Sequence, residues 1–451
     1  MRISIVFLLC LLMAGVAFAE VPDERSLAGL WRGVGEAEQG AMRFDVDLSF
    51  EQGSLQGVFV LVDEGGVRVP AETVEFVDGV IGLTAMGGAV ELRGSPTADE
   101  VAGTLRTPGG QMPMRLARDG SAAARAMMEE VDQKSAQMRS EALERIRSGP
   151  AMDAVDAGAL AELLDAADAS YTTALALIHD GELVGEWHRG DGPEPIHAMS
   201  VTKVALHLLI GRLITLGELE SIDVPVHHFY PQWAEDQQRA AITIRHLLAH
   251  ASGLDRGQPA GPIYQSDDFV QFALDAPLEF DPGTAVAYSN NATNLLGGIV
   301  GQIVDRPLDK FLADDLFGLL GIDDFAWDTD PAGNPQGMAG LQLTAGDLAR
   351  LGQLALDYGR WQGDQLIDRQ WFEDSFVPAT EHSERLGLIW FLEHEEDEVV
   401  GAFHSGYLGQ WLSIRFDKRL VGVRMVANTP AYDGQTDGFR DFVEYLPALV
   451  E

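Results

Sequence analysis

The chain has 451 residues and a formal net charge of −39, with 46% hydrophobic and 22% charged residues. Those proportions suit a folded globular protein, and the length suits two or three domains. So large an acid excess argues against nucleic acid and anionic membrane as partners, because both need a cationic face.

Residues 1–19 read as an export signal, with Arg2 as its positive start, an apolar run from Ile5 to Ala19, and Ala17-Phe18-Ala19 as the cleavage site. The expected location is therefore the periplasm or the outside of the cell. That apolar run is shorter than the roughly 20 residues needed to cross a bilayer, and no later stretch is read as a membrane span. Cys10 is the single cysteine and lies inside the signal. The processed chain then has no thiol, which removes disulfides, thiolate catalysis, Cys-ligated zinc and iron–sulfur clusters.

Residues 26–118 alternate in short runs such as Phe44-Asp45-Val46-Asp47-Leu48, broken by Gly-Gly, Asp-Gly and Gly-Ser steps. Period-two runs with frequent turn signals predict a small all-β barrel or sandwich. Gly29-Leu30-Trp31 resembles the Gly-x-Trp opening of lipocalin-like barrels, and Trp31 reads as a plug for one end of the β core. Residues 121–149 are rich in Ala, Met, Glu, Arg and Gln. Glu130–Lys134 and Glu141–Arg145 are favourable i,i+4 pairs, so a linker helix is expected, ended by Gly149-Pro150.

From 150 to 451 the pattern is mixed. A helix is expected at 156–168, then a hairpin of 174–178 and 182–187 turning at Asp180-Gly181. A long helical middle follows. A second hairpin joins Trp411–Phe416 to Val421–Ala427, and 438–450 reads as a closing amphipathic helix. Strands at both ends with helices between predict an α/β fold: one antiparallel sheet flanked by helices, with an inserted all-helical subdomain.

Three motifs carry candidate chemistry. The first is Ser200-Val201-Thr202-Lys203 before an apolar helix. Lysines are scarce: Lys134, Lys203, Lys310 and Lys418 are all there are. A serine at a helix start shares a face with a lysine three residues on. A serine hydroxyl needs a nearby base to attack a carbonyl, and a buried amine with a lowered pKa can be that base. The helix N-terminus points N–H groups at a developing oxyanion. The second motif is Tyr288-Ser289-Asn290. A tyrosine beside a lysine ammonium can have a lowered pKa and shuttle a proton, and an asparagine can orient the lysine or hold a substrate amide. The third is His404-Ser405-Gly406, before a strand whose edge can bind an extended substrate and offer a second oxyanion donor. His246 and His250 are spaced to clasp zinc, but no third ligand has supporting spacing, so capping and packing at a helix end are expected and no metal or cofactor is.

In this order the three motifs resemble the serine β-lactamase and penicillin-binding-protein superfamily, more narrowly its class C β-lactamase-like serine hydrolases. Leu247-Leu248-Ala249-His250-Ala251-Ser252-Gly253-Leu254 is similar to that group's "LLxHTSGL" segment, with Ala251 in place of Thr. The resemblance covers about 150–450. It implies an active site between the sheet and the helical subdomain, with Ser200 as nucleophile, Lys203 and Tyr288 as the proton-transfer pair, and Asn290, His404, Gly406 and Tyr407 as substrate-binding positions. Backbone N–H groups of Ser200 and Tyr407 would form the oxyanion hole. His404 stands where β-lactamases usually carry lysine. A mostly neutral histidine offers a carboxylate no fixed charge, so the resemblance implies a small-molecule or peptide substrate with an ester or amide bond rather than efficient β-lactam hydrolysis. The alternative is a catalytically weak penicillin-binding-type protein that recognises cell-wall peptides.

Overall fold

Alternation in the first hundred residues becomes a nine-stranded antiparallel sheet between Gly29 and Arg118 in the computed structural model. The model describes residues 23–37, 40–51, 53–62, 67–107, 110–140, 144–190, 192–304, 306–427, 437, 439 and 442–450. The expected export signal, with Cys10, lies outside the described residues. The first strand, Gly29–Ala37, pairs with the last, Gly110–Arg118, and the sheet meanders outward to edges at Val67–Pro70 and Thr73–Val77. Those two edges are neighbours in the chain, so the sheet must curl until they approach. Ala71 N–H accordingly donates to the Gly57 carbonyl at 2.8 Å. Phe44, Val46, Phe59, Leu83, Leu92 and Leu105 fill the interior. Trp31 is the plug expected of it. It is fully buried, its indole N–H donates to the Leu27 carbonyl at 2.8 Å, and the Arg118 guanidinium lies 4.4 Å from its ring centroid.

The chain divides into two compact units. The smaller holds the residues up to Gly35 with Arg43–Leu61 and Arg68–Met127, and the larger holds the continuous stretch Met128–Glu451. The linker helix is shorter than the composition suggests. α1 spans Ala122–Ser140, and Glu144–Ser148 is a strand, β1. An i,i+4 pair stabilises a helix by only about 0.2–0.5 kcal/mol. The open edge of a sheet offers this segment a ladder of backbone hydrogen bonds instead.

That sheet has seven antiparallel strands. They are β1, β2 (Ala174–His179), β3 (Glu182–His188), β4 (Phe391–Glu395), β5 (Glu398–Gly406), β6 (Gln410–Arg415) and β7 (Leu420–Met425), in the order β1-β3-β2-β7-β6-β5-β4. The β2–β3 turn has positive φ at Asp180 (49°) and Gly181 (80°), the pairing a type I′ hairpin requires. Along β2, Leu175 and Leu177 point to one face while Ala174, Ala176 and Ile178 point to the other. Both faces are covered. On one lie α2 (Ala157–Asp168), capped by Asp156 accepting from Ala159 N–H at 2.8 Å, and the closing segment Phe442–Leu449. That segment is one short α turn followed by a 3-10 turn, and residues 438, 440 and 441 of the expected closing helix lie outside the described residues.

On the other face lie α3 (Thr202–Leu216) and α6 (Ala345–Leu356), with the shorter α4 (Ile244–Leu248) and α5 (Asn290–Ile303) in the helical region between β3 and β4. A side chain at Gly352 of α6 would meet Leu412 and Val421 at 2.7 Å, so glycine is what lets this helix settle on the sheet. Met199–Leu216 is long and apolar enough by composition to cross a membrane, contrary to expectation, but 67% of it is buried inside the protein, as in a core helix.

Candidate active site

Ser200 sits in a 3-10 turn, Met199–Val201, that runs directly into α3. Met199 holds a positive φ of 49°, an uncommon conformation for a side chain of that size. One turn on, Lys203 is fully buried, with Nζ 3.3 Å from Ser200 Oγ and donating to the Met338 carbonyl at 2.6 Å. Met338 is itself held, since its N–H donates to Asn294 Oδ1 of α5 at 3.0 Å. Burial holds the Lys203 amine well below the usual lysine range. The result is a buried amine of lowered pKa against a serine hydroxyl, the arrangement in which an amine can take the hydroxyl proton.

The Tyr288 ring lies 5.0 Å from Lys203 Nζ. Its phenol is pushed up to about 12 by burial, which outweighs the opposing hydrogen bond with Ser200. This reverses the expected lowering. That expectation rested on an ammonium at Lys203, whereas burial disfavours both charged forms, lowering the amine and raising the phenol. Tyr288 is therefore a phenol in the resting site, able to give a proton and poorly able to take one.

Asn290 begins α5, and its amide donates to the Gly257 carbonyl at 3.3 Å. Its Oδ1 has no hydrogen-bond partner among the described residues. It is not bonded to Lys203, so the lysine is oriented by Met338 instead.

His404 departs from its expected place. It is fully buried on β5, Nδ1 lies 2.8 Å from the Ser405 carbonyl, and Nε2 is enclosed with no hydrogen-bond partner among the described residues. Burial pulls it down to about 3. It is neutral and faces inward, which does not suit direct contact with substrate in this arrangement.

Gly406 closes β5 against the serine turn. A Cβ there would lie 3.0 Å from Ala198 O and 3.1 Å from both Met199 Cβ and Ser200 N. Its φ of −131° suits any residue, so space alone selects glycine. Tyr407 follows in a 3-10 turn, with 48% of its surface exposed. Substituting Gly406→Val should push the strand end off Ser200 N–H and lower kcat about 100-fold, the scale expected when an oxyanion donor is displaced. Circular dichroism and ester turnover on the purified variant check this, and near-normal kcat would refute it.

The structure brings Ser200, Lys203, Tyr288 and Gly406 together, and with them His250, which the sequence places only at a helix end. His250 lies against Tyr288, ring centroids 4.6 Å apart. His246 does what was expected of it, forming a reciprocal capping box with Thr243 at the start of α4. No group of three or more potential metal ligands occurs among the described residues.

Esterase EstB of Burkholderia gladioli is 37% identical over 128 residues, covering 24% of this chain and 32% of the esterase. Penicillin-binding protein 4 of Amycolatopsis lactamdurans is 32% identical over 164 residues, 33% of this chain and 42% of that protein. The chain thus spans about a third of the esterase's length and about two fifths of the penicillin-binding protein's. The crystal structure of a penicillin-binding protein homologue from Caulobacter crescentus superposes with a TM-score of 0.51 at 21% identity, covering 64% of this chain and 96% of that one. Residues 160–442 match the Beta-lactamase family, a span running from α2 through both hairpins and enclosing Ser200, Lys203, Tyr288 and His404. With well over half its length inside that match, this chain belongs to the Beta-lactamase family, a family of serine hydrolases.

Proposed function

We propose that the protein is an exported serine hydrolase that cleaves an ester or amide through an acyl-enzyme on Ser200. The observation that carries the reading is the fully buried Lys203 amine 3.3 Å from Ser200 Oγ, with its pKa lowered by burial. Lys203 takes the hydroxyl proton as Ser200 Oγ bonds to the carbonyl carbon. The carbonyl π electrons move onto oxygen, where the N–H groups of Ser200 and Tyr407 receive the charge. Tyr288 gives its proton to the leaving oxygen or nitrogen as that bond breaks, and is reprotonated from the Lys203 ammonium. Water then releases the acyl group by the reverse sequence. All these residues lie in the larger unit, so we place hydrolysis there.

Esterase- or peptidase-type substrates fit better than β-lactams. A neutral, enclosed His404 supplies no cation to the carboxylate that penicillins and cephalosporins carry. The names of the relatives, an esterase and a penicillin-binding protein, support the same range of substrates.

The test is mass spectrometry after incubation with a fluorophosphonate, penicillin, a D-Ala-D-Ala peptide and a p-nitrophenyl ester. The expected result is one adduct on the peptide containing Ser200, rapid ester turnover, and neither in Ser200→Ala. An adduct on another residue, or full activity in Ser200→Ala, overturns the reading. A penicillin adduct that persists while esters are left intact would point instead to cell-wall peptide recognition with weak turnover.

A further inference from the structure

We propose that His250 is the positioning residue of Tyr288, a role that rests on the proton transfer proposed above. Three contacts converge on one tyrosine. The His250 carbonyl accepts from Ala287 N–H at 2.9 Å, and its Nδ1 accepts from Ser289 N–H at 3.1 Å. The backbone N–H groups of the residues before and after Tyr288 are therefore both tied to this single residue. Its imidazole also lies against the phenol ring, centroids 4.6 Å apart and planes tilted by 35°. Backbone and ring together leave Tyr288 one orientation over Lys203.

The clamp constrains His250 as well. Nδ1 accepts a hydrogen bond, so the ring proton sits on Nε2, and the tautomer is set by the Ser289 amide. The residue holds a positive φ of 51° and is 1% exposed. Burial, with Lys203 and His404 beside it, holds the imidazole well below its ordinary range. The groups facing Tyr288 are then Ser200, Lys203, His250 and His404, with Phe391 stacked beyond. Burial lowers the pKa of each of the three nitrogen bases. Tyr288 therefore keeps its proton because the pocket is dry, and the His250 ring is one wall of that pocket.

Two variants separate the parts of the clamp. Asparagine tolerates a positive φ, and its side-chain oxygen can reach an amide much as Nδ1 does. His250→Asn keeps the backbone tie and removes the ring wall, while His250→Ala removes both. On a p-nitrophenyl ester, His250→Ala should lose about 100-fold in kcat with KM changed less than about 3-fold. His250→Asn should recover about 10-fold of that. In a Tyr288→Phe background the alanine change should cost less than about 3-fold. Tyrosine 13Cζ NMR, with the Tyr288 line assigned from Tyr288→Phe, should show no titration below pH 11 in the wild type. In His250→Ala the line should titrate nearer pH 10. Equal losses with and without Tyr288, no recovery by asparagine, or an unmoved Tyr288 titration would overturn the proposal. Fluorophosphonate labelling of Ser200 reports separately on the hydrolase reading, and the NMR arm stands even where no ester is turned over.

Discussion

Lys203→Met should abolish acylation while leaving the fold intact. Methionine matches the length of the lysine stem and fills the buried space, losing only the bond to the Met338 carbonyl, so the helix and its packing survive. What disappears is the one base within reach of Ser200 Oγ. Acylation by a p-nitrophenyl ester should fall by about 1,000-fold or more, because the serine is left with no base to take its proton. Stability should change with pH in a defined direction. Burial lowers the pKa of Lys203 in the fold, and unfolding restores its ordinary value. From its lowered folded value up to its ordinary value near about 10.4, the unfolded chain binds more protons, so wild-type stability rises with pH through that window. Methionine has no such dependence. Any stability advantage of the variant is therefore largest at and below neutral pH and closes as pH approaches 10. Urea denaturation of both proteins at pH 7 and pH 9.5 measures this. A gap that widens with pH would refute the lowered amine pKa.

Arg424→Met should be the most destabilising single change in the larger unit. Arg424 on β7 and Asp437 are both fully buried and meet through two hydrogen bonds of 2.9 Å. The same guanidinium donates to Thr172 Oγ1 at 2.8 Å and to the carbonyls of Gly409 and Phe439 at 3.2 and 3.4 Å. It thus ties together the approach to β2, the turn after Tyr407 and the start of the closing segment. Methionine would take the Arg424 guanidinium away from a buried carboxylate, a loss of about 3–5 kcal/mol. Replacing both partners, as Arg424→Met with Asp437→Leu, should recover most of it, since no charge is then stranded. Urea unfolding of the single and double variants measures both, and a single-variant loss under about 1 kcal/mol would show the pair to be dispensable.

Local chemistry was legible where one segment decides the outcome. Asp180-Gly181 marks its own hairpin, Asp156 caps its own helix, and Ser200 and Lys203 share a helical turn because they are three residues apart. Legibility ended where a partner comes from elsewhere in the chain. The Met338 carbonyl that holds Lys203 is a backbone atom with no signature in residue type. His250 stands four residues from His246, a spacing that points to a helix face or a metal, whereas its actual partners are the amides around Tyr288. The direction of the Tyr288 shift depended on knowing that burial disfavours the charged forms of both Lys203 and Tyr288. His404 was placed against substrate by analogy with a lysine, and only the fold shows its Nε2 enclosed.

The strand β1 has a bearing on where this protein can be cut. It pairs along β3 from Glu144↔His188 to Ser148↔Gly185, with a bulge between Arg145 and Arg147. Residues at the end of an apparent linker are thus the border strand of the hydrolase sheet. A chain beginning at Ala151 keeps every candidate active-site residue yet strips that border, leaving the N–H and C=O groups of β3 open to any passing strand. Such an uncovered rim is a template for chain-to-chain pairing. The natural seam for proteolysis or domain exchange therefore lies before Glu144, and a protease that cuts after Ser148 would release a sticky enzyme rather than a trimmed one.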